Sequence, residues 1–380
     1  MNNLKNTIIY GLLGDILGYD VNNNNEILNK KTKNLQYNYI KDSSEICNVI
    51  VFKYINDGLY QHILKNNNNL IASGSFILNL ATIYSFTKSY TTIDNLLNNI
   101  KKNLITFYKN DKLKNKRNYS RLFINQIKKL EDPNYINLEY NKDAIYSEPA
   151  SNSLIFGIIF NNNIDKLLNI SLQYCKLTHN NCIAILGCIT ISLFISFAYK
   201  KININKWPYL LLDILKKEKT EKLILNSFDK KYRNRIIIEY NFFINKWDNY
   251  IKLRFNKNKE LIEDGMLIYP SLKYENYFNR YTINKDEFYP GNDGLDCGII
   301  VYDSLIISHD IQSLIINSIY NTGNSSILGS ISCFIFYIIN NSNNNSNNNS
   351  NNINFKINKN DNAFNIINNI SYKNIKNYEL

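Results

Sequence analysis

The chain has 380 residues, 44% of them hydrophobic and 13% aromatic, enough for a sizeable buried core. Its formal charge of +12 comes from lysines spread along the chain and a few scattered arginines, with no basic stripe on one helical face, which argues against a nucleic-acid binder. Six cysteines (Cys47, Cys175, Cys182, Cys188, Cys297 and Cys333) form no CxxC pair, and His62, His179 and His309 are far apart, so neither a disulfide framework nor a histidine-based metal site is expected.

The N-terminus, Met1-Asn-Asn-Leu-Lys, is polar, and Asp15 interrupts the first apolar stretch, so no signal peptide is expected. Leu4 to Leu17 reads as a helix that ends in Gly11-Leu-Leu-Gly14-Asp15-Ile-Leu-Gly18-Tyr19, where glycines serve as caps or close-packing points. The Asn22 to Asn25 and Asn66 to Asn69 tracts read as loop expansions, on either side of an expected helix from Ile46 to Leu64. Leu70 to Phe86 follows. Ile93, Leu96, Leu97, Ile100, Leu104 and Tyr108 then recur on one helical face, with Thr92 and Asp94 suited to the first turn.

Ile164 to Tyr174 is helical by the same criterion. Cys182 to Tyr199 is a long uncharged apolar run and could just span a bilayer by length. It contains Gly187, Thr190, Ser192 and Ser196, and reads as a central helix buried on all sides. Ile236 to Leu253, Gly298 to Ser308 and Ile311 to Tyr320 are further helices. Strict alternation is scarce, and five prolines fit long helices with short loops. The expected fold is all-α: a single compact many-helix domain over 1–339, an Asn/Ser low-complexity segment over 340–352, and a tail over 353–380 that either docks a last helix or stays free.

Two loops stand out chemically. Lys41-Asp42-Ser43-Ser44 and Thr322-Gly323-Asn324-Ser325-Ser326 both open apolar segments, as loops that feed helix starts. Carboxylates often sit at such places to hold a divalent cation. Asp42 is the only acid in either.

Taken in order, these pieces resemble the ADP-ribosylglycohydrolases, and within them the eukaryotic ADP-ribosylarginine hydrolases. Gly11 to Tyr19 is similar to the family's Gly-Asp-Ala-Leu-Gly-Tyr opening. Asp42-Ser43-Ser44 sits in place of Ser-Asp-Asp-Thr, and Ala150-Ser151-Asn152 in place of Ala-Met-Arg. Leu177-Thr178-His179 matches a Thr-His motif, and Lys246-Trp247-Asp-Asn-Tyr250-Ile-Lys-Leu253 resembles a Lys-Trp-Glu-Asn-Tyr-Leu-Lys-Leu segment. Gly291-Asn292-Asp293-Gly294-Leu-Asp296 and Ile300-Val-Tyr302-Asp303-Ser-Leu305 follow Gly-Ser-Ser-Gly-His-Asp and Ala-Tyr-Asp-Ala-Leu. Thr322 to Ser326 stands where the family carries Gly-Gly-Asp-Ser-Asp-Ser. The resemblance runs from about residue 7 to 339.

The resemblance implies an orthogonal helical bundle that binds ADP-ribose or an ADP-ribosylated protein and hydrolyses its N-glycosidic bond with two magnesium ions. The implied metal positions are Asp42, Ser43, Ser44, Asn324 and Ser326, with Asp42 as the residual catalytic acid. Ser43, Asn324 and Ser326 replace acids, and Ile327 replaces a ligating Ser, so magnesium is expected to be lost or weakly held. The implied ADP-ribose loop is Gly291, Asn292, Asp293, Gly294 and Asp296. There Asp293 opposes a diphosphate unless it turns to solvent. Tyr281 or Tyr289 could stack an adenine, whereas Trp247 and Tyr250 read as core.

Read plainly, Asp15 caps or hydrogen-bonds within a helix turn, Asp42 is an N-cap, His179 is structural and Asp296 orients a neighbouring loop. The expected function is a pseudoenzyme with a binding or scaffold role. The alternatives are an active hydrolase using one magnesium and a displaced acid such as Asp296 or Asp303, and a basic nucleic-acid binder. A cytoplasmic monomer with no membrane partner is expected.

Overall fold

A computed structural model describes residues 2–34, 70–132, 139–262, 290–319, 323–341 and 361–375. The Asp42 loop, the expected helix from Ile46 to Leu64, Tyr281, Tyr289 and most of the Asn/Ser run lie outside the described residues. Among the described residues the fold is all-α, with 15 α-helices, and its only β pairing is two isolated bridges.

Helix α1 spans Asn2–Asn34, well beyond its expected end, and carries the Asn22 to Asn25 tract within it. Asn costs a helix at most about 0.7 kcal/mol per residue relative to Ala, so an established helix runs through a short tract of it. The glycines are a packing face. A Cβ at Gly14 would stand 2.1 Å from Gly329 O, and one at Gly329 would stand 2.5 Å from Gly14 O. This close approach seats α1 against α14 (Ser325–Asn341).

Helix α2 (Gly74–Ser85) starts later than the apolar run because Ser73 caps it, Oγ accepting from Phe76 N. Helix α3 (Ile93–Asn110) has the expected cap, with Thr92 Oγ1 accepting from Asn95 N. Helix α4 (Arg121–Leu130) follows, capped by Ser120. Two short helices, α5 (Glu148–Asn152) and α6 (Phe156–Ile159), lead to α7 (Ile164–Lys176) and α8 (Cys182–Tyr199).

Helix α8 is long and apolar enough to cross a membrane, yet it lies 94% buried within the protein. It is the central post of the bundle: α5, α6, α7, α9 (Trp207–Leu215), α11 (Arg233–Arg254), α12 (Gly294–Ile307) and α14 all pack on it. A helix enclosed on every side has no solvent face to keep polar, so its sequence shows no amphipathic period. Two of its hydroxyls are absorbed locally: Thr190 Oγ1 donates to Leu186 O at 2.8 Å, and Ser192 Oγ accepts from Ser171.

Trp247 and Tyr250 on α11 are fully buried, as expected of core residues. They join Phe194, Trp207 and Tyr302 in an aromatic cluster around α8. The bundle is completed by α10 (Glu218–Asn226), α13 (Ile311–Ile319) and α15 (Ala363–Asn369). Cys175, Cys182, Cys188, Cys297 and Cys333 are free and buried.

The segment after the Asn/Ser run docks. Ala363, Ile367 and Ile370 are buried in the common core. Asp361 makes a forked pair with the fully buried Arg117, at 3.0 Å from both Nη1 and Nη2. It also accepts from Ala72 N and Ala363 N, each at 2.8 Å. Asp111 holds the other side of the guanidinium through Nε.

Candidate functional site

Three segments distant in sequence are knitted together at the N-terminal end of α12. Ser147 Oγ donates to Gly291 O at 2.7 Å, and Ser147 N donates to Asn292 O at 2.9 Å. Gly294 N donates to Ile145 O, and Tyr146 forms a bridge with Asp293. From the third segment, Asn324 N donates to Pro290 O at 2.8 Å and Asn324 Nδ2 to Asn292 Oδ1 at 3.0 Å. The implied ADP-ribose loop and the implied last metal loop are thus in direct contact. The Asp42 loop, with Asp42, Ser43 and Ser44, lies outside the described residues.

Gly291 has φ +77°, the left-handed region that an L side chain adopts only with strain. The turn it makes lets two carboxylates fold back on the backbone. Asp293 does not turn to solvent. It is fully buried and N-caps α12, Oδ1 accepting from Leu295 N at 2.8 Å and Asp296 N at 2.9 Å. Asp296 reciprocates, Oδ1 accepting from Asp293 N and Oδ2 from Gly291 N. This is a capping box, and in it Asp296 holds the loop that leads into its own helix, not a neighbouring one. Burial, and then the neighbouring Asp293 charge, push the Asp296 carboxyl well above the usual carboxylate range.

At the last loop, Asn324 accepts from Ser326 Oγ at 3.4 Å, and Ser325 Oγ donates to Ile319 O at 2.6 Å. Ile327 is in the hydrophobic core. Among the described residues, no three His, Cys, Asp or Glu side chains converge as a metal-holding group.

Helix α5 brings a second set of polar groups beside this junction. Ser75, in the first turn of α2, shares a hydrogen-bonded triad with Ser151 and Asn152: Ser75 Oγ lies 2.6 Å from Ser151 Oγ and donates to Asn152 Oδ1 at 2.8 Å. Asn152, where the family has Arg, is therefore a buried acceptor. Glu148 accepts from Ser120 Oγ at 2.6 Å. His179 is buried, with Nδ1 2.8 Å from Thr178 Oγ1, and Nε2 lies 3.4 Å from Glu148 Oε2 without hydrogen-bond geometry.

Asp15 reaches beyond its own helix turn. It accepts from Ser73 N at 2.7 Å and Ser73 Oγ at 2.6 Å, which anchors the start of α2 and so the position of Ser75. Burial lifts its carboxyl to about 7 against the pull of those two hydrogen bonds. Asp303 lies apart from the junction. It is fully buried and accepts from Tyr250 Oη and Arg254 Nε, each at 2.7 Å, so it braces α11 against α12. Ser73, Ser75 and Glu148 had no place in the sequence reading. The Pro149 at the start of α5 is the signal that could have located that helix.

No family model matches the chain. Among curated proteins, it is 32% identical over 205 residues to an ADP-ribosyl glycohydrolase of Acanthamoeba polyphaga mimivirus, a match covering 51% of this chain and 38% of that protein. It is 28% identical over 186 residues to the ADP-ribosylhydrolase ARH1 of Dictyostelium discoideum, covering 45% of this chain and 46% of that protein. The matches thus span less than half the length of either relative. Joined to the ordered motifs and the all-α bundle, these similarities support a divergent relative of the ADP-ribosylglycohydrolases.

Proposed function

We propose that this chain is an ADP-ribosylarginine-hydrolase-like protein whose di-magnesium site has degenerated, a pseudoenzyme with a binding or scaffold role toward ADP-ribose or an ADP-ribosylated protein. The observation that carries the reading is the last loop. Where the resemblance calls for acids, Asn324 spends its amide on Asn292, Ser326 offers a neutral hydroxyl, and Ile327 is packed in the core. Magnesium takes hard oxygen ligands, mostly carboxylates, in tight octahedral geometry. These side chains do not fit a dication, and two dications side by side without fixed negative charge repel strongly. No hydrolytic step is therefore routed through a metal at this loop.

The diphosphate end supports the loss of hydrolysis and turns the binding role away from a diphosphate seated at α12. A helix N-terminus attracts a phosphate through its free N–H groups. At α12 those of Leu295 and Asp296 are already taken by the Asp293 carboxylate. A phosphate approaching here meets a filled site and a buried acid.

The test is to incubate the purified full chain with ADP-ribosyl-arginine and magnesium and to follow free ADP-ribose. No release above the uncatalysed rate is expected. Turnover at an enzyme-like rate, abolished by Asp42→Ala, would end the proposal.

A further inference from the structure

The segment from Asp361 to Ile375 is fastened to the bundle beside a buried acid. Two consecutive backbone amides are each taken by a carboxylate. Ala72 N donates to Asp361 Oδ2 at 2.8 Å, and Ser73 N donates to Asp15 Oδ2 at 2.7 Å. Arg117 closes the arrangement: Nη1 donates to Ala72 O at 2.7 Å and to Asp361 at 3.0 Å, and Nε donates to Asp111. The residues just before α2 are thus held by α1, by the 111–119 loop and by the C-terminal segment together. The first turn of α2 carries Ser75, which reaches Ser151 and Asn152 on α5.

Of these three holders the C-terminal segment is the easiest to detach. Its helix α15 has seven residues, a length that does not hold a helix on its own in water. It packs chiefly on α1 and α2, and between 361 and 370 only Asp361, Ala363, Ile367 and Ile370 are buried. Segments with so few buried contacts open before the bundle unfolds.

Asp15 ties that opening to pH. With Asp15 protonated, one buried guanidinium serves two carboxylates, Asp111 and Asp361; ionised Asp15 adds a third beside Asp361. Burial lifts the Asp15 carboxyl to about 7, and Asp361 adds to the lift, while the Ser73 bonds and Arg117 oppose it. The 111–119 loop otherwise offers Tyr119, bonded to Asp111, and the exposed Lys112, Lys114 and Lys116. From α14 come the Cys333 thiol, against Gly14 and pushed up to about 12, and Tyr337, against Tyr10. Tyr84, in the last turn, is the titratable side chain of α2, and α13 has none. Release of the segment admits water and removes the burial, so the open form holds the Asp15 proton less tightly. Docking is therefore strongest below the ordinary carboxyl value of 3.8 and weakens as pH rises through about 7.

We propose that residues 361–375 form a pH-sensitive strap: ionisation of Asp15 releases it from α1 and α2 and frees the first turn of α2, while the rest of the bundle stays folded.

The experiment is hydrogen exchange of the full chain, read by mass spectrometry from about pH 5 to about pH 8 and corrected for the intrinsic pH dependence of exchange. Protection of peptides covering 363–370 and 70–76 should fall together, by up to about tenfold per pH unit, and level off above about pH 7. Protection of α8 should stay unchanged across the range. The wild-type profile decides whether the strap opens locally. Asp15→Asn, which keeps an acceptor for Ser73 and cannot ionise, should flatten the profile and so assign it to that carboxyl. Protection of the strap that does not change with pH would overturn the proposal. So would an equal fall in α8, which would mean global unfolding, or an undiminished slope in Asp15→Asn.

Discussion

Replacing Asp361 by Ala tests whether the segment beyond the Asn/Ser run is a structural part of the bundle. Asp361 and Arg117 are both fully withdrawn from solvent, and the carboxylate carries four hydrogen bonds, two from Arg117 and one each from Ala72 N and Ala363 N. Removing one partner of a buried ion pair leaves an uncompensated charge and costs about 3–5 kcal/mol. Here the guanidinium keeps Asp111 and Ala72 O, which holds the loss toward the lower end, while two orphaned backbone N–H groups raise it again. A loss of at least about 3 kcal/mol is a large part of a typical folding stability of 5–15 kcal/mol. Urea denaturation of the full-length Asp361→Ala variant at pH 7 should show the drop in midpoint. Arg117→Met combined with Asp361→Leu should cost less than the single change, because no charge is left stranded. A single-variant loss below about 1 kcal/mol would refute the reasoning, since it would mean that Arg117 finds water or another anion as readily as it finds Asp361.

Asp15 gives a pH test. Its folded-state carboxyl is lifted from 3.8 to about 7, so the stability tied to its protonated form is full below the unfolded value and falls away as pH rises through about 7. Relative to Asp15→Asn, the wild type should therefore lose up to about 4 kcal/mol between pH 4 and pH 8, read by urea denaturation at both ends. A difference that stays constant with pH would contradict the buried, raised carboxyl. At the α1–α14 crossing, Gly14→Val places a side chain 2.1 Å from Gly329 O, against backbone that has no room to yield. It should destabilise by about 1–3 kcal/mol or more. Gly11→Ala, whose nearest neighbour is the Phe334 ring at 3.3 Å, should be tolerated. Equal thermal shifts for the two variants would remove the close-packing account.

The helices that were legible in the sequence are those with strong local marks. Ile93 to Tyr108 carries a one-sided apolar stripe and a Thr92 cap, and α3 forms there. Cys182 to Tyr199 has no stripe at all, and it became the enclosed post with the bounds read from its uncharged run. α1 runs past its expected end because, of the two roles open to its glycines, the structure uses close packing and not capping. α5 and α9 were missed because each is short, although Pro149 and Pro208 mark their first turns. The Arg117–Asp361 fork could not be read at all: its partners are 244 positions apart and leave no periodic trace. The same holds for Ser75 with Asn152, which are neighbours only once α2 and α5 meet. The buried direction of Asp293 was missed for another reason. An acid before an apolar helix is an N-cap signal, and the resemblance drew it toward a ligand role instead.

The central claim is that this pocket no longer gathers a pair of magnesium ions. Calorimetric titration of ADP-ribose into the full chain, with and without magnesium, tests it most directly. The account predicts an affinity that magnesium leaves unchanged. A magnesium-dependent gain of tenfold or more, lost in Asp42→Ala, would contradict it.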